Sequence, residues 1–297
     1  MKVKYFLQLI RYKNLLMLFL VQFLFANAGN FHSFSSFHFF NFILLAQATI
    51  FIAAAGNVIN DYFDIVTDKI NKPNKVLVGN RISKKAALFL YSTLNILGIV
   101  SGIVLAYINH KPVYSVLFLL ITLLLYYYSK TLKKIALVGN VIVSIFISLS
   151  IILVLLFPSI NNNLPKYNHI ITVYAIFAFI LNFIRELLKD VEDINGDYNQ
   201  KMKTLPIIIG KKRTLNILFY LNFIPFILSI LIASILKNNL IITYILLFIT
   251  LPLAYFIYKI KETKNKKQLS ILSALLKLIM ILGMLSILFI NQFVLKI

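Results

Sequence analysis

The feature that most constrains this chain is a series of apolar runs, each about twenty residues long, that recurs from one end to the other. A helix of that length crosses a hydrocarbon core of about 30 Å. The chain is 60% hydrophobic, which is more than one soluble core of 297 residues buries. We therefore predict an all-α, polytopic membrane protein. The nine predicted transmembrane helices cover residues 13–29, 38–60, 86–108, 112–129, 135–157, 169–189, 214–236, 239–258 and 270–292.

The apolar stretch 15–25 within the first run also resembles a signal peptide, because Ala26 and Ala28 form an A-x-A pattern after it. The basic region before it is long, however, and eight further runs follow. We predict a retained transmembrane helix.

The basic residues indicate the orientation in the membrane. Most of the 30 Lys and Arg residues lie at the N-terminus and in alternate loops, and such cations accumulate on the cytoplasmic side. This predicts a cytoplasmic N-terminus. The cations occur in short clusters between apolar runs rather than on one patch, so we expect no nucleic-acid partner. The absence of Cys excludes disulfides and thiolate metal sites.

The nine acidic residues are far more clustered than the basic ones. All except Glu262 lie at the end of the second or the sixth predicted helix, at the cytoplasmic face. Each cluster contains three aspartates spaced i, i+3 and i+7, which lie within about 60° of one another on a helix. The two sets of three are Asp61, Asp64 and Asp68, and Asp190, Asp193 and Asp197.

The two clusters are related by a constant offset in sequence position, which is the separation between Asp61 and Asp190. That offset also pairs Asn57 with Glu186 and Asn60 with Lys189. We interpret this as an internal repeat, centred on residues 57–68 and 186–197, within a single transmembrane domain of residues 1–297.

Like charges stacked along a helix destabilise it, so something must compensate for them. Mg²⁺ is held by a few carboxylates together with substrate phosphates. Carboxylate triads amid Lys and Arg therefore predict a Mg²⁺–diphosphate site, in which acids hold metal and bases hold phosphate oxygens. The alternative is a pair of solvated loops, which two matched copies disfavour. An EF-hand is disfavoured too, because its alternating ligands and its glycine are missing.

These residues resemble those of a known family. Residues 57–68 resemble the N-x-x-N-D-x-x-D-x-x-x-D signature of the UbiA-type intramembrane prenyltransferases, and residues 189–197 resemble the second aspartate motif of that family. Residues 10–14, 128–133 and 203–206 resemble further family segments. Lys75 stands where many members have Arg, which keeps the charge and loses the bidentate fork.

The resemblance implies a helical bundle around a central cavity that opens towards lipid. It also implies Mg²⁺-dependent transfer of a polyprenyl group from an isoprenyl diphosphate to a lipid or aromatic acceptor. The protein is expected in the cell inner membrane, with its active site facing the cytoplasm. Within the family, the residues of the second motif and of the segment 203–206 resemble the geranylgeranylglycerol-phosphate geranylgeranyltransferases most. Membrane lipid is the only other partner expected, with no obligate protein partner.

The predicted site residues fall into four groups. The catalytic candidates are Asp61, Asp64, Asp190 and Asp193. The metal ligands are those four with Asp68 and Asp197. The diphosphate contacts are Arg11, Asn57, Asn60, Lys75, Lys133, Lys189 and Lys201. The cavity candidates, whose ring faces could stabilise an allylic cation, are Tyr126, Tyr127 and Tyr128.

Other functions stay open at this stage. Aromatic acceptors such as 4-hydroxybenzoate, or an acceptor of the haem O type, suit the same donor chemistry. An ion-coupled transporter also carries intramembrane acids, although it would place them near the bilayer midplane. A CDP-alcohol phosphatidyltransferase would need a D-G-x-x-A-R segment, which neither cluster contains.

Overall fold

The computed structural model describes residues 3–27, 36–71, 73–157 and 165–293. Fourteen α-helices run through them. The first half contains α1 (Val3–Leu9), α2 (Tyr12–Ala26), α3 (Ser36–Phe63), α4 (Ile65–Asn71), α5 (Lys84–Ile108) and α6 (Ser115–Lys130). The second half contains α7 (Val138–Leu156), α8 (Pro165–Asn199), α9 (Leu205–Ile209), α10 (Lys211–Leu221), α11 (Phe223–Ile235), α12 (Asn239–Ile245), α13 (Leu251–Ile260) and α14 (Lys266–Phe293).

The all-helical membrane architecture is confirmed. Over the described ranges, eight helical spans are long and apolar enough to cross a bilayer, and the bent pair α1 and α2 would supply a ninth. The first span differs from expectation, because α2 has only 15 residues and meets α1 at a bend of 59°. Large apolar side chains such as Phe89, which is 76% exposed, cover the outside as expected for contact with lipid.

The two acidic clusters differ in their helical geometry. The second lies wholly on α8, which continues past the predicted end at residue 189 as far as Asn199 and keeps its three aspartates on one helix face. In the first, α3 ends at Phe63 and α4 begins at Ile65. The prediction of one continuous helix for Asp61, Asp64 and Asp68 is therefore wrong.

Local sequence explains the break at Asp64. The next three residues, Ile65, Val66 and Thr67, are all β-branched, which lowers their helix propensity although they form the first turn of α4. The Asn60 amide also donates to Asp64 Oδ2 at 2.9 Å, a local contact that competes with regular helix. The chain nevertheless stays coiled, because Asp64 N–H donates to Asn60 O at 2.9 Å and Asp68 N–H to Asp64 O at 2.8 Å.

The described residues divide into two compact units, one mainly of residues 1–135 and the other mainly of residues 136–297. In the first unit, Leu9 and Leu15 pack with Ala55 and Val58 of α3. This core lies directly before the first acidic cluster and anchors the bend between α1 and α2 against α3.

In the second unit, Leu187 and Val191 of α8 pack with Phe256 of α13 and Leu276 of α14. These apolar side chains alternate along α8 with the acidic residues of the second cluster. Packing on one side of α8 therefore fixes the direction in which the carboxylates of the other side point.

Close helix contact in the first unit depends on Gly98 and Gly102 of α5, a small-xxx-small pair of the kind that lets membrane helices approach. A Cβ atom on Gly98 would lie 2.7 Å from Ile52 Cγ1 and 3.1 Å from the backbone oxygen of Ala48. On Gly102 it would lie 2.4 Å from the Phe118 ring. These positions leave no room for a side chain.

Gly98→Ala is therefore expected to destabilise the purified protein by about 1–3 kcal/mol, because the added methyl group overpacks a contact with backbone. Thermal unfolding in detergent measures this as a lower Tm. Gly283→Ala is the matched control, since a Cβ atom there meets nothing within 4 Å. Equal Tm shifts in the two variants would contradict the packing argument.

Candidate active site

The first acidic cluster is bound to the bend between α1 and α2. Arg11 occupies this bend in the left-handed region, at φ 54°, and its Nη2 donates to Asp61 Oδ1 at 2.9 Å. One turn earlier on α3, Asn57 Nδ2 donates to the backbone oxygen of Ile10 at 3.0 Å. Asn57, predicted as a diphosphate contact, thus holds the backbone that presents Arg11.

Lys133 closes the other side of this cluster. It follows α6, in the short 3₁₀ turn Leu132–Lys134, and its Nζ lies 3.0 Å from Asn60 Oδ1 and 2.5 Å from Asp64 Oδ1. Burial lowers the pKa of Lys133, and the Asp64 charge opposes that shift. Asp61 and Asp64 are therefore each held by a cation.

Two further predicted site residues of the first unit are Asp68 and Lys75. Asp68 lies in the first turn of α4. Lys75 belongs to the short turn Pro73–Lys75, but its side chain lies outside the described residues.

Aromatic side chains border the end of α3. The Tyr126 ring lies 5.8 Å from Phe63 and 5.7 Å from Tyr127, measured between ring centroids. Tyr127 is 54% exposed, whereas Tyr128 is partly buried and lies near Arg11. Tyr126 and Tyr128 thus border the first cluster, and Tyr127 faces outward.

Ser129, in the last turn of α6, was not selected from the sequence. Its hydroxyl is buried and has no hydrogen-bond partner among the described residues. A buried hydroxyl without a partner is costly and suits a ligand oxygen.

The second cluster, in the second unit, has a different set of contacts. Asp190 Oδ2 accepts from the amide of Asn140 on α7 at 2.9 Å. Asp193 Oδ1 lies 3.5 Å from Lys266 Nζ at the start of α14. Asn140 and Lys266 were missed as site residues, although Asn140 follows Arg11 by the same offset that separates the motifs.

The other second-motif residues are placed as follows. Lys189 Nζ pairs with Glu186 at 2.9 Å, and Arg185 Nη1 donates to the same carboxylate at 3.0 Å. Asp197 is 7% exposed, and its backbone oxygen accepts from Met202 N–H at 3.0 Å. Lys201 is exposed and has a φ of 53°. Lys189 is therefore paired with the Glu186 carboxylate.

The donor chemistry of each motif fits Mg²⁺. Among the described residues, no three His, Asp or Glu side chains form a metal cage by themselves. Mg²⁺ does not require one, because it keeps several waters and takes one or two carboxylates plus substrate phosphates. Asp61 with Asp64, and Asp190 with Asp193, each offer two carboxylates one helical turn apart. Either pair can hold a magnesium ion together with a diphosphate.

Comparison with known proteins identifies similar sequences and folds. The profile of the UbiA prenyltransferase family matches residues 15–292. The digeranylgeranylglyceryl phosphate synthase of Methanosphaera stadtmanae is 29% identical, covering 95% of this chain and 97% of that protein. The enzyme of the same name from Korarchaeum cryptofilum is 33% identical, covering 80% and 81%.

Two solved structures share the fold. One, described as digeranylgeranylglyceryl phosphate synthase in membranes, has a TM-score of 0.66 at 28% identity and covers 97% of this chain and 98% of its own. The other is a UbiA homologue from Archaeoglobus fulgidus bound to DMAPP and Mg²⁺, with a TM-score of 0.60 at 19% identity, covering 95% and 98%. The likeness extends over nearly the whole length of each chain.

Proposed function

Because the chain belongs to the UbiA prenyltransferase family, we propose that it transfers a geranylgeranyl group from geranylgeranyl diphosphate to a glycerol-phosphate-type lipid with Mg²⁺. The single observation that carries this proposal is the pair of aspartate motifs with their contacts, Arg11 and Lys133 at the first and Asn140 at the second. The names of the curated relatives support the acceptor class.

Each motif supplies its own side chains for binding the diphosphate group of the substrate. Asp61, Asp64, Asp190 and Asp193 would hold Mg²⁺, with Asp68 and Asp197 as further ligands. Bound Mg²⁺ supplies Lewis-acid stabilisation of the negative charge on the diphosphate. The diphosphate contacts are Arg11, Asn57, Asn60, Lys75, Lys133, Lys189 and Lys201.

The reaction breaks the allylic C–O bond, and the diphosphate leaves with the electron pair. Arg11 and Lys133 counter its charge as it develops, since fixed cations are most effective where negative charge forms. The face of Tyr126, beside the first motif, stabilises the allylic cation. An acceptor hydroxyl then forms the new C–O bond and releases its proton.

The proposed setting is a multi-pass protein of the cell inner membrane, with a cytoplasmic N-terminus and with the active site facing the cytoplasm. The alternation of basic loops supports this orientation.

We also propose that the single transmembrane domain arose as an internal repeat. The offset that relates the two motifs also relates Arg11 to Asn140, and each of these side chains donates to the first aspartate of its motif.

An acceptor panel tests the proposed substrate. Purified protein with labelled geranylgeranyl diphosphate and Mg²⁺ is offered geranylgeranylglyceryl phosphate, 4-hydroxybenzoate or haem B. We expect kcat/KM to be at least about 10²-fold higher for the lipid phosphate, because a site built for a charged headgroup rejects acceptors that leave its polar groups unpaired. Faster transfer to 4-hydroxybenzoate or haem B would contradict the acceptor class. Ion uptake into vesicles without diphosphate release would favour a transporter.

A further inference from the structure

Asp190 accepts a hydrogen bond from an uncharged group, the side-chain amide of Asn140. Asn140 lies in the first turn of α7 and is 7% exposed, and its amide donates to Asp190 Oδ2 at 2.9 Å. A carboxylate has about four acceptor positions, of which one amide fills one. The contact therefore fixes the carboxylate and leaves most of its lone pairs available.

A second polar contact, one turn along, holds the same two helices together. Asn182 Nδ2 on α8 donates to Ser144 Oγ on α7 at 3.3 Å, and Ser144 Oγ donates to the backbone oxygen of Asn140 at 2.6 Å. Asn182 and Ser144 are buried, at 4% and 0% exposure. Asn182 precedes Asp190 by two helical turns, so both contacts lie on one face of α8. Together they join α7 and α8 at two points along the helices.

The equivalent position in the first motif carries a charge. Arg11 precedes Asn140 by the same offset by which Asp61 precedes Asp190, and it binds Asp61 as a salt bridge. A guanidinium compensates the charge of a carboxylate, whereas an amide orients it without compensation. Within the described part of the chain, the side chain that hydrogen-bonds Asp190 is this amide, and the neighbouring Lys189 pairs with Glu186.

We propose that Asn140 is a positioning residue for metal binding at the second motif. It holds the Asp190 carboxylate in one orientation for Mg²⁺ without placing a cation against it. The inference rests on the proposed Mg²⁺-dependent function. It implies that the two motifs are electrostatically unequal, and that the second binds a divalent cation without first displacing a cationic partner from Asp190.

Metal affinity measured without turnover tests this role. The full chain in detergent, with inorganic diphosphate, is titrated with Mn²⁺ as a substitute for Mg²⁺, and free Mn²⁺ is followed by EPR. Asn140→Ala and the volume-matched Asn140→Leu are expected to weaken Mn²⁺ binding by about 10–100-fold, the effect typical of losing a group that orients a metal ligand. Thermal unfolding without metal confirms that both variants are folded.

Ser144→Ala is the matched control, because it removes the neighbouring interhelical contact and leaves the Asn140 amide in place. We expect it to change Mn²⁺ affinity by less than about twofold. If all three variants weakened binding equally, Asn140 would act only through helix register and the proposal would be overturned.

The outcomes separate this inference from the proposed function. Wild-type affinity in both Asn140 variants would overturn the positioning role and leave the proposed transfer intact. The expected loss of Mn²⁺ affinity, with no prenyl transfer by the wild type, would support Asn140 and overturn the transfer. A wild-type protein that binds no Mn²⁺ would overturn both.

Discussion

Alanine at Asp61 or at Asp190 is expected to lower kcat/KM for prenyl transfer by at least about 10³-fold, equivalent to about 4 kcal/mol of transition-state stabilisation. Each substitution removes a carboxylate proposed to bind Mg²⁺. At the first motif it also leaves Arg11 without the partner that it contacts at 2.9 Å. Steady-state kinetics with labelled geranylgeranyl diphosphate measure both losses.

Glu262→Gln is the control for these two variants. Glu262 is the acid outside the motifs, and it forms an exposed pair with Lys259 on the surface. Its substitution is expected to change kcat/KM by less than about twofold. Retention of near wild-type transfer by both aspartate variants would show that the motifs are structural and not catalytic.

Methionine at Lys133 is expected to give the second largest loss, about 10²-fold in kcat. The substitution keeps an unbranched side chain but removes the ammonium group that binds Asp64 and Asn60. The side chains of the first motif are then no longer held in place, and the diphosphate loses a cation. The structure makes Lys133 less replaceable than other lysines of this surface, because its side chain is only 11% exposed. Single-turnover kinetics with labelled donor measure the loss.

The neighbouring Lys134 provides the matched comparison. It belongs to the same short turn and is exposed. Lys134→Met is expected to retain activity within about twofold. If the two methionine variants lost equal activity, the effect would come from the general positive field of the loop rather than from the contact with Asp64.

The spans and the motifs could be predicted from the sequence because both are local patterns. A run of about twenty apolar residues defines a membrane helix without knowledge of its neighbours. The aspartates stood out because acids are scarce in this chain and lie together at one spacing. The repeat offset was visible for the same reason.

The contacts of the motifs depend on residues far away in sequence and could not be obtained in this way. Arg11 reaches Asp61 because the chain bends at Arg11 itself, and Lys266 reaches Asp193 from the start of a distant helix. The break at Asp64 coincides with a side-chain contact from Asn60 to Asp64 that an apolar pattern does not reveal. Asn140 lies in an apolar run that gives no sign of a site residue, and its proposed role is suggested only when the repeat offset is applied to Arg11.

Release of diphosphate tests the central claim most directly. Purified protein is incubated with geranylgeranyl diphosphate and geranylgeranylglyceryl phosphate, with Mg²⁺ or with excess chelator, and both diphosphate and prenylated lipid are quantified. The account predicts one diphosphate per prenylated product with Mg²⁺, and a rate at least about 10³-fold lower with chelator. Release that proceeds equally without divalent metal, or no release with this pair of substrates, would contradict it.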